Sequence, residues 1–196
     1  MDTRKAIVKR KTAETDISVE LTLDGEGKSK IESGIGFFDH MLTLFSRHGF
    51  FDLNVKCDGD IYVDGHHSIE DIGIAMGDAL AEALGDKAGI TRYASFYVPM
   101  DEVLAFVAID VSGRPFLVYD APQMAPMIGG YDTELTEEFL RAFAFHAGLT
   151  LHVKVLYGTN SHHMVEAIFK ALGHALHIAT ARDDEVKGVL STKGVL

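Results

Sequence analysis

One cysteine, four prolines and no tryptophan stand among 196 residues. A single thiol, Cys57, excludes an internal disulfide framework and any thiolate metal cluster, so metal chemistry here would fall to histidine and carboxylate. Basic residues are also scarce: 18 Lys and Arg stand against 29 Asp and Glu, a formal net charge of −11. That balance disfavours a broad nucleic-acid face, because phosphate backbones reward basic surfaces, while a few placed cations can still hold a small anion. No basic-then-apolar leader and no apolar run of membrane-spanning length is present, which predicts a cytoplasmic protein with neither a membrane nor a nucleic-acid partner.

What the chain does have is a sentence written twice. "HHSIEDIGIAMGDAL" begins at His66 and "HHMVEAIFKALGHAL" at His162; the histidine pair and the following glutamate recur at a constant offset, since 162 − 66, 163 − 67 and 166 − 70 all equal 96. Apolar positions obey the same shift: Ile69, Ile72, Met76, Leu80 and Ala83 fall on Val165, Ile168, Leu172, Leu176 and Ala179. Their spacing makes each copy an amphipathic helix.

The repeat extends further. "TDISVELTLDG" alternates with the period of a half-exposed strand, and "SKIES" reads as its partner across the "DGEGK" turn. "IGFFDHMLTLFSRHG" reads as a helix closed at Gly49, "FDLNVKC" as a strand, and the first HH helix follows. In the second half "YASFYVPM", "EVLAFVAIDVSG" and "RPFLVYD" read as strands, then "ELTEEFLRAFAFHAG" as a helix, "LTLHVKVLYG" as a strand and the second HH helix. "APQMAPMIGG" reads as a surface loop. The expectation is an α+β fold made by duplicating a strand-strand-helix-strand-helix unit, with an extra short strand near Arg114. It gives two sheets with helices packed on one face of each. One compact catalytic domain of two pseudo-repeats, about 1–86 and 87–196, follows from it.

On a helix, residue 70 lies about 40° around the axis from residue 66 and about 60° from residue 67, so all three side chains can face one way. His66 and His67 are themselves roughly 100° apart, which suits two ions taking one histidine each better than one ion taking both. Two copies in one register therefore point to a two-metal centre of imidazole and carboxylate, compatible with Mn, Fe, Zn or Ni. His40 lies 26 residues before His66, and Glu138 lies 24 before His162, each on the first helix of its half, as equivalent candidate ligands. His48, His146, His152, His174 and His177 have no such support and read as ordinary histidines.

"GFFDHML", "DGHHSIEDIGIAMG", "GRPFLVYD", "TNSHHMVEAIFKALGHAL" and "STKGVL", in this order and over essentially the whole chain, resemble the imidazoleglycerol-phosphate dehydratase family of histidine biosynthesis. The resemblance implies two Mn2+ ions per active site, ligated by His40, His66, His67, Glu70, Glu138, His162, His163 and Glu166. Position 138 departs from the pattern, because many relatives place histidine there; a carboxylate can also ligate Mn. The resemblance also implies that Glu14, Arg92, Arg114, Lys170, Thr192 and Lys193 bind the substrate, with the cations chiefly on its phosphate. It further implies a homo-oligomer of 24 subunits whose sites are completed across subunit contacts.

The implied reaction removes water from imidazoleglycerol phosphate to give imidazoleacetol phosphate. No carbonyl acidifies the C–H proton that must leave, so the substrate's own ring has to be the electron sink. A dinuclear centre holding that ring as imidazolate would supply it, with Glu14 as the family-matched base for the carbon-bound proton. A dinuclear phosphoesterase, which would release phosphate, and a non-enzymatic metal-binding protein are the alternatives.

Overall fold

The computed structural model describes residues 3–196. The first half runs β1 (Lys5–Lys11), β2 (Thr15–Thr22), β3 (Ser29–Glu32), α1 (Gly36–Gly49), β4 (Asp52–Gly59) and α2 (His66–Leu84). The second runs β5 (Tyr93–Met100), β6 (Val103–Asp110), β7 (Phe116–Asp120), the short pair β8 (Met127–Ile128) and β9 (Tyr131–Asp132), α3 (Leu135–Ala147), β10 (Thr150–Tyr157) and α4 (Ser161–Thr180). Sheet orders are β1-β2-β4-β3 and β5-β6-β10-β7, the same arrangement twice. The fold is therefore the expected duplicated α+β unit, with two corrections to its parts.

Each half has three strands of its four-stranded sheet before its first helix, and β1 was not read from the sequence; β7 is thus no extra strand but the counterpart of β3. Strand β1 escapes a periodicity search because only Ala6 of its residues is buried. The second correction concerns "SKIES": β3 pairs with β4 in parallel, not with β2, which is flanked by β1 and β4. Within "APQMAPMIGG" the loop closes into the β8–β9 hairpin around Gly129, whose φ of 60° suits glycine.

Alternation decides which sheet face is inside. Ile17, Val19 and Leu21 of β2 and Val103, Ala105, Val107 and Ile109 of β6 are buried, and one continuous core draws on both halves. Helix α2 lies on β1, β2 and β4; α4 lies on β5 and β6 and touches β10. The first helices cross over: α1 packs on α4 and α3 on α2. Both crossings are made close by a glycine at the same repeat position, 173 − 77 = 96. A Cβ at Gly77 would meet the carbonyl oxygen of Phe143 at 2.8 Å, and one at Gly173 that of Phe45 at 2.7 Å. This exchange of partners sets His40 of the first half beside the HH helix of the second.

Candidate metal centre

Both HH helices begin the same way. The backbone N–H of His162 donates to Asn160 Oδ1 at 2.9 Å, and that of His66 to Asp64 Oδ1 at 2.8 Å, with 160 − 64 again 96. These acceptors satisfy first-turn N–H groups that have no partner within the helix, and so fix where each HH pair leaves the loop.

At the α1–α4 crossing His40, His162 and Glu166 converge, with one potential ligand atom from each all within 4.8 Å of one another. Glu166 Oε2 lies 3.1 Å from His162 Nε2 and 3.5 Å from His40 Nε2. Its other oxygen accepts from Lys170 Nζ at 2.6 Å. Burial raises the Glu166 carboxyl's pKa, but Lys170 and His162 outweigh it and hold the group below its ordinary value, as an anion. Two imidazoles and a carboxylate aimed at one point fit a hard-to-borderline divalent cation.

His67 and His163, the second histidine of each pair, are each held through one side of the ring. His163 Nδ1 lies 2.9 Å from Glu102 Oε2, and His67 Nδ1 lies 3.0 Å from Asp60 Oδ2. Carboxylates only accept, so each Nδ1 carries the proton and, in the neutral ring, Nε2 keeps its lone pair. That is the outer-shell arrangement of a metal-bound histidine. The hydrogen bond from His163 pulls the Glu102 pKa down to about 2, helped by the N–H of Asn160. Hydrogen bonds to Asp60 and Glu102 raise His67 and His163 respectively.

Other expected ligands are placed less compactly. His66 lines a cleft with Phe37, Asp64, Asp132 and Glu134, and the edge-on Phe37 ring lies 5.0 Å from that of His162. Glu138 of α3 faces Arg141, 3.9 Å away. Among the described residues, His40, His162 and Glu166 form the one convergent group of three; His66, His67, Glu70 and Glu138 are not gathered into a second.

Glu14 sits on the β1–β2 turn. Asp71, buried on α2 beside Glu70, accepts from Arg10 and from Thr15 Oγ1 at 2.6 Å each, while Thr12 Oγ1 accepts the Glu14 N–H at 3.1 Å. The turn is pinned to the HH helix, and the Glu14 carboxylate, 52% exposed, reaches to 3.7 Å from His67 Nε2.

Of the expected phosphate ligands, Arg92 and Arg114 share Asp110, at 2.8 Å and 3.6 Å. Arg92 is buried, adopts a φ of 73° and donates to the Leu190 carbonyl at 2.6 Å, so it also ties down the C-terminal segment. Thr192 lines a cleft with Arg92, and Lys193 is exposed on the tail. Lys170 stands apart from this group, on Glu166. Sequence reasoning missed Asp60 and Glu102 altogether. The signal was available for Glu102, because it directly precedes β6 as Glu14 directly precedes β2.

Residues 33–176 match the family model for imidazoleglycerol-phosphate dehydratase. The chain is 58% identical to that enzyme of Acetivibrio thermocellus over 98% of its own length and 99% of the relative's. It is 59% identical to that of Clostridium novyi over the whole of both. Its backbone matches the crystal structure of the Staphylococcus aureus enzyme with a TM-score of 0.82 at 41% identity, covering 91% of this chain and 99% of that one. The Pyrococcus furiosus enzyme, solved with the compound (S)-C348, gives 0.83 at 38% identity, over 96% and 100%.

Proposed function

Since the chain belongs to the imidazoleglycerol-phosphate dehydratase family and is a hydro-lyase of histidine biosynthesis, we propose that it dehydrates its substrate on two Mn2+ ions. These would be held by His40, His66, His67, Glu70, Glu138, His162, His163 and Glu166. Support for the ions comes from the convergence of His40, His162 and Glu166 and from the carboxylates behind His67 and His163. When bound, the ions would make the imidazole ring of the substrate the electron sink that a missing carbonyl cannot be.

The remaining work falls to the protein's own groups. Glu14, carried on a pinned turn beside His67, takes the carbon-bound proton; general bases of this kind contribute about 10² to 10⁴ in rate. Arg92, Arg114, Thr192 and Lys193 hold the phosphate, which explains how an acidic protein binds a dianion. Arg92 keeps donors to spare beyond Asp110 and Leu190. Lys170 would act at the other end, on the ring side, through Glu166.

Because the single chain gathers only three of the eight ligands, the sites are completed by neighbouring subunits in a 24-subunit assembly. The outer sheet faces support such contacts: Tyr93, Tyr97, Phe116 and Tyr157 are exposed together with Ile7. Among the described residues no helix is long and apolar enough to cross a membrane. As an enzyme of amino-acid biosynthesis, it is assigned to the cytoplasm in this reading. The observation that carries the reading is the full-length family match. Its test is metal-free protein resupplied with Mn2+ and given imidazoleglycerol phosphate. Formation of the ketone without inorganic phosphate is expected; phosphate release would identify a phosphoesterase, and no turnover of a fully loaded protein would leave a metal-binding role.

A further inference from the structure

We propose that Glu102 is the positioning residue for His163, and that it occupies the place in the second half that Glu14 occupies in the first. The inference rests on the metal reading above. Strand β2 begins at Thr15 and β6 at Val103, and Val19 pairs with Val55 as Val107 pairs with Val153. The offset between these two strands is therefore 88, and 102 − 14 is also 88.

The two carboxylates nevertheless have different tasks, and their neighbours say why. Past the end of β4 stands Asp60, which accepts a hydrogen bond from Nδ1 of His67. Past the end of β10 the corresponding stretch, 158–160, reads Gly-Thr-Asn and has no carboxylate. His163 would lack an anchor there, and Glu102 supplies it from the turn on the other side. In doing so it also accepts the N–H groups of Asn160 at 2.7 Å and Thr159 at 3.2 Å, tying the loop that starts α4 to the β5–β6 turn. Glu102 is thus fully engaged. In the first half Asp60 does the anchoring, so the turn glutamate Glu14 makes no side-chain hydrogen bond among the described residues and lies 3.7 Å from the metal-facing nitrogen of His67. Asp71 and Thr15, which pin the Glu14 turn, have no counterparts: the matching residues are Ala167 and Val103.

The test compares wild type, Glu102→Ala and Glu102→Gln. In metal-free protein labelled with 15N-histidine, at alkaline pH where the rings are neutral, wild-type His163 should show the Nδ1–H tautomer with a bare Nε2. Glu102→Ala should populate Nε2–H and weaken one of the two Mn2+ ions by about 10- to 100-fold in titrations followed by electron paramagnetic resonance. Glu102→Gln, whose amide oxygen still accepts from Nδ1, should restore the tautomer and most of the affinity. An Nε2–H tautomer at His163 in wild type overturns the proposal even if Glu102→Ala fails to fold. So does a folded Glu102→Ala that binds both ions like wild type. Wild-type protein that takes up no Mn2+ overturns the metal reading itself, whichever tautomer is found.

Discussion

The crossing of α1 with α4 and the crossing of α3 with α2 are built at matching positions from different chemistry. His48 faces His174 across the first, with Nδ1 and Nε2 3.2 Å apart; His146 faces Asp78 across the second, at 2.9 Å. The pairs correspond, since 146 − 48 is 98, the offset that also relates buried Met41, Leu42 and Phe45 to Phe139, Leu140 and Phe143, and 174 − 78 is 96. Duplication preserved the backbone, the crossing glycines and the helix starts. Polar pairs drifted wherever the backbone did not depend on them. Lys170 beside Glu166 follows the same rule, for the position matching it beside Glu70 is Ile74.

The largest effect should come from breaking the difference between the turn glutamates. Glu14→Gln keeps the side chain's shape but cannot accept a carbon-bound proton, so kcat should fall by about 10² to 10⁴. Bound Mn2+ should remain at the wild-type level by elemental analysis. An inactive variant that has also lost metal would instead make Glu14 a structural neighbour of the ions.

Next in size are the features the halves share. Gly173→Ala and Gly77→Ala each force a methyl group into a backbone contact, which should cost about 1–3 kcal/mol, partly offset by roughly 1 kcal/mol of helix propensity. Both variants should unfold at lower temperature than wild type. A pronounced loss at one crossing and none at the other would show that the two are not equivalent in packing.

The smallest effect concerns pH. Burial pushes the His48 and His174 pKa values down, with the charge of His174 adding to the shift at His48 and that of His177 to the shift at His174. A histidine whose folded pKa is depressed protonates first in the unfolded chain. The stability of this crossing is therefore complete above the ordinary value of 6.5 and falls as pH drops below it towards the lowered folded value. His174→Asp copies the pairing of the other crossing, and should flatten the decline in melting temperature between neutral and mildly acidic pH. An unchanged decline would locate the acid-sensitive groups elsewhere.

Much of this architecture was legible before any coordinates. The 96-residue offset predicts two equivalent HH helices, and α2 and α4 share the side-chain acceptor before the first histidine and the crossing glycine. Periodicity could not reveal β1, which buries almost nothing, nor that β3 would choose β4 over its neighbour in sequence, because parallel pairing depends on the helix between them. Of the candidate site, the convergent His40, His162 and Glu166 were legible as residue types. Its asymmetry was not, because Asp60 and Glu102 lie in turns whose side-chain directions only the folded sheet decides. Nor does helical spacing show that Arg92 would spend part of its guanidinium on the tail carbonyl of Leu190.

The central claim is that each half contributes half of a two-ion centre, although one chain gathers only His40, His162 and Glu166 into a compact group. The most direct test is a titration of metal-free, assembled protein with Mn2+, counting bound ions per chain and following ketone formation at each step. Uptake should saturate at two ions per chain, with dehydration appearing only as the second is filled. Saturation at one ion, or full activity before the second binds, would contradict it.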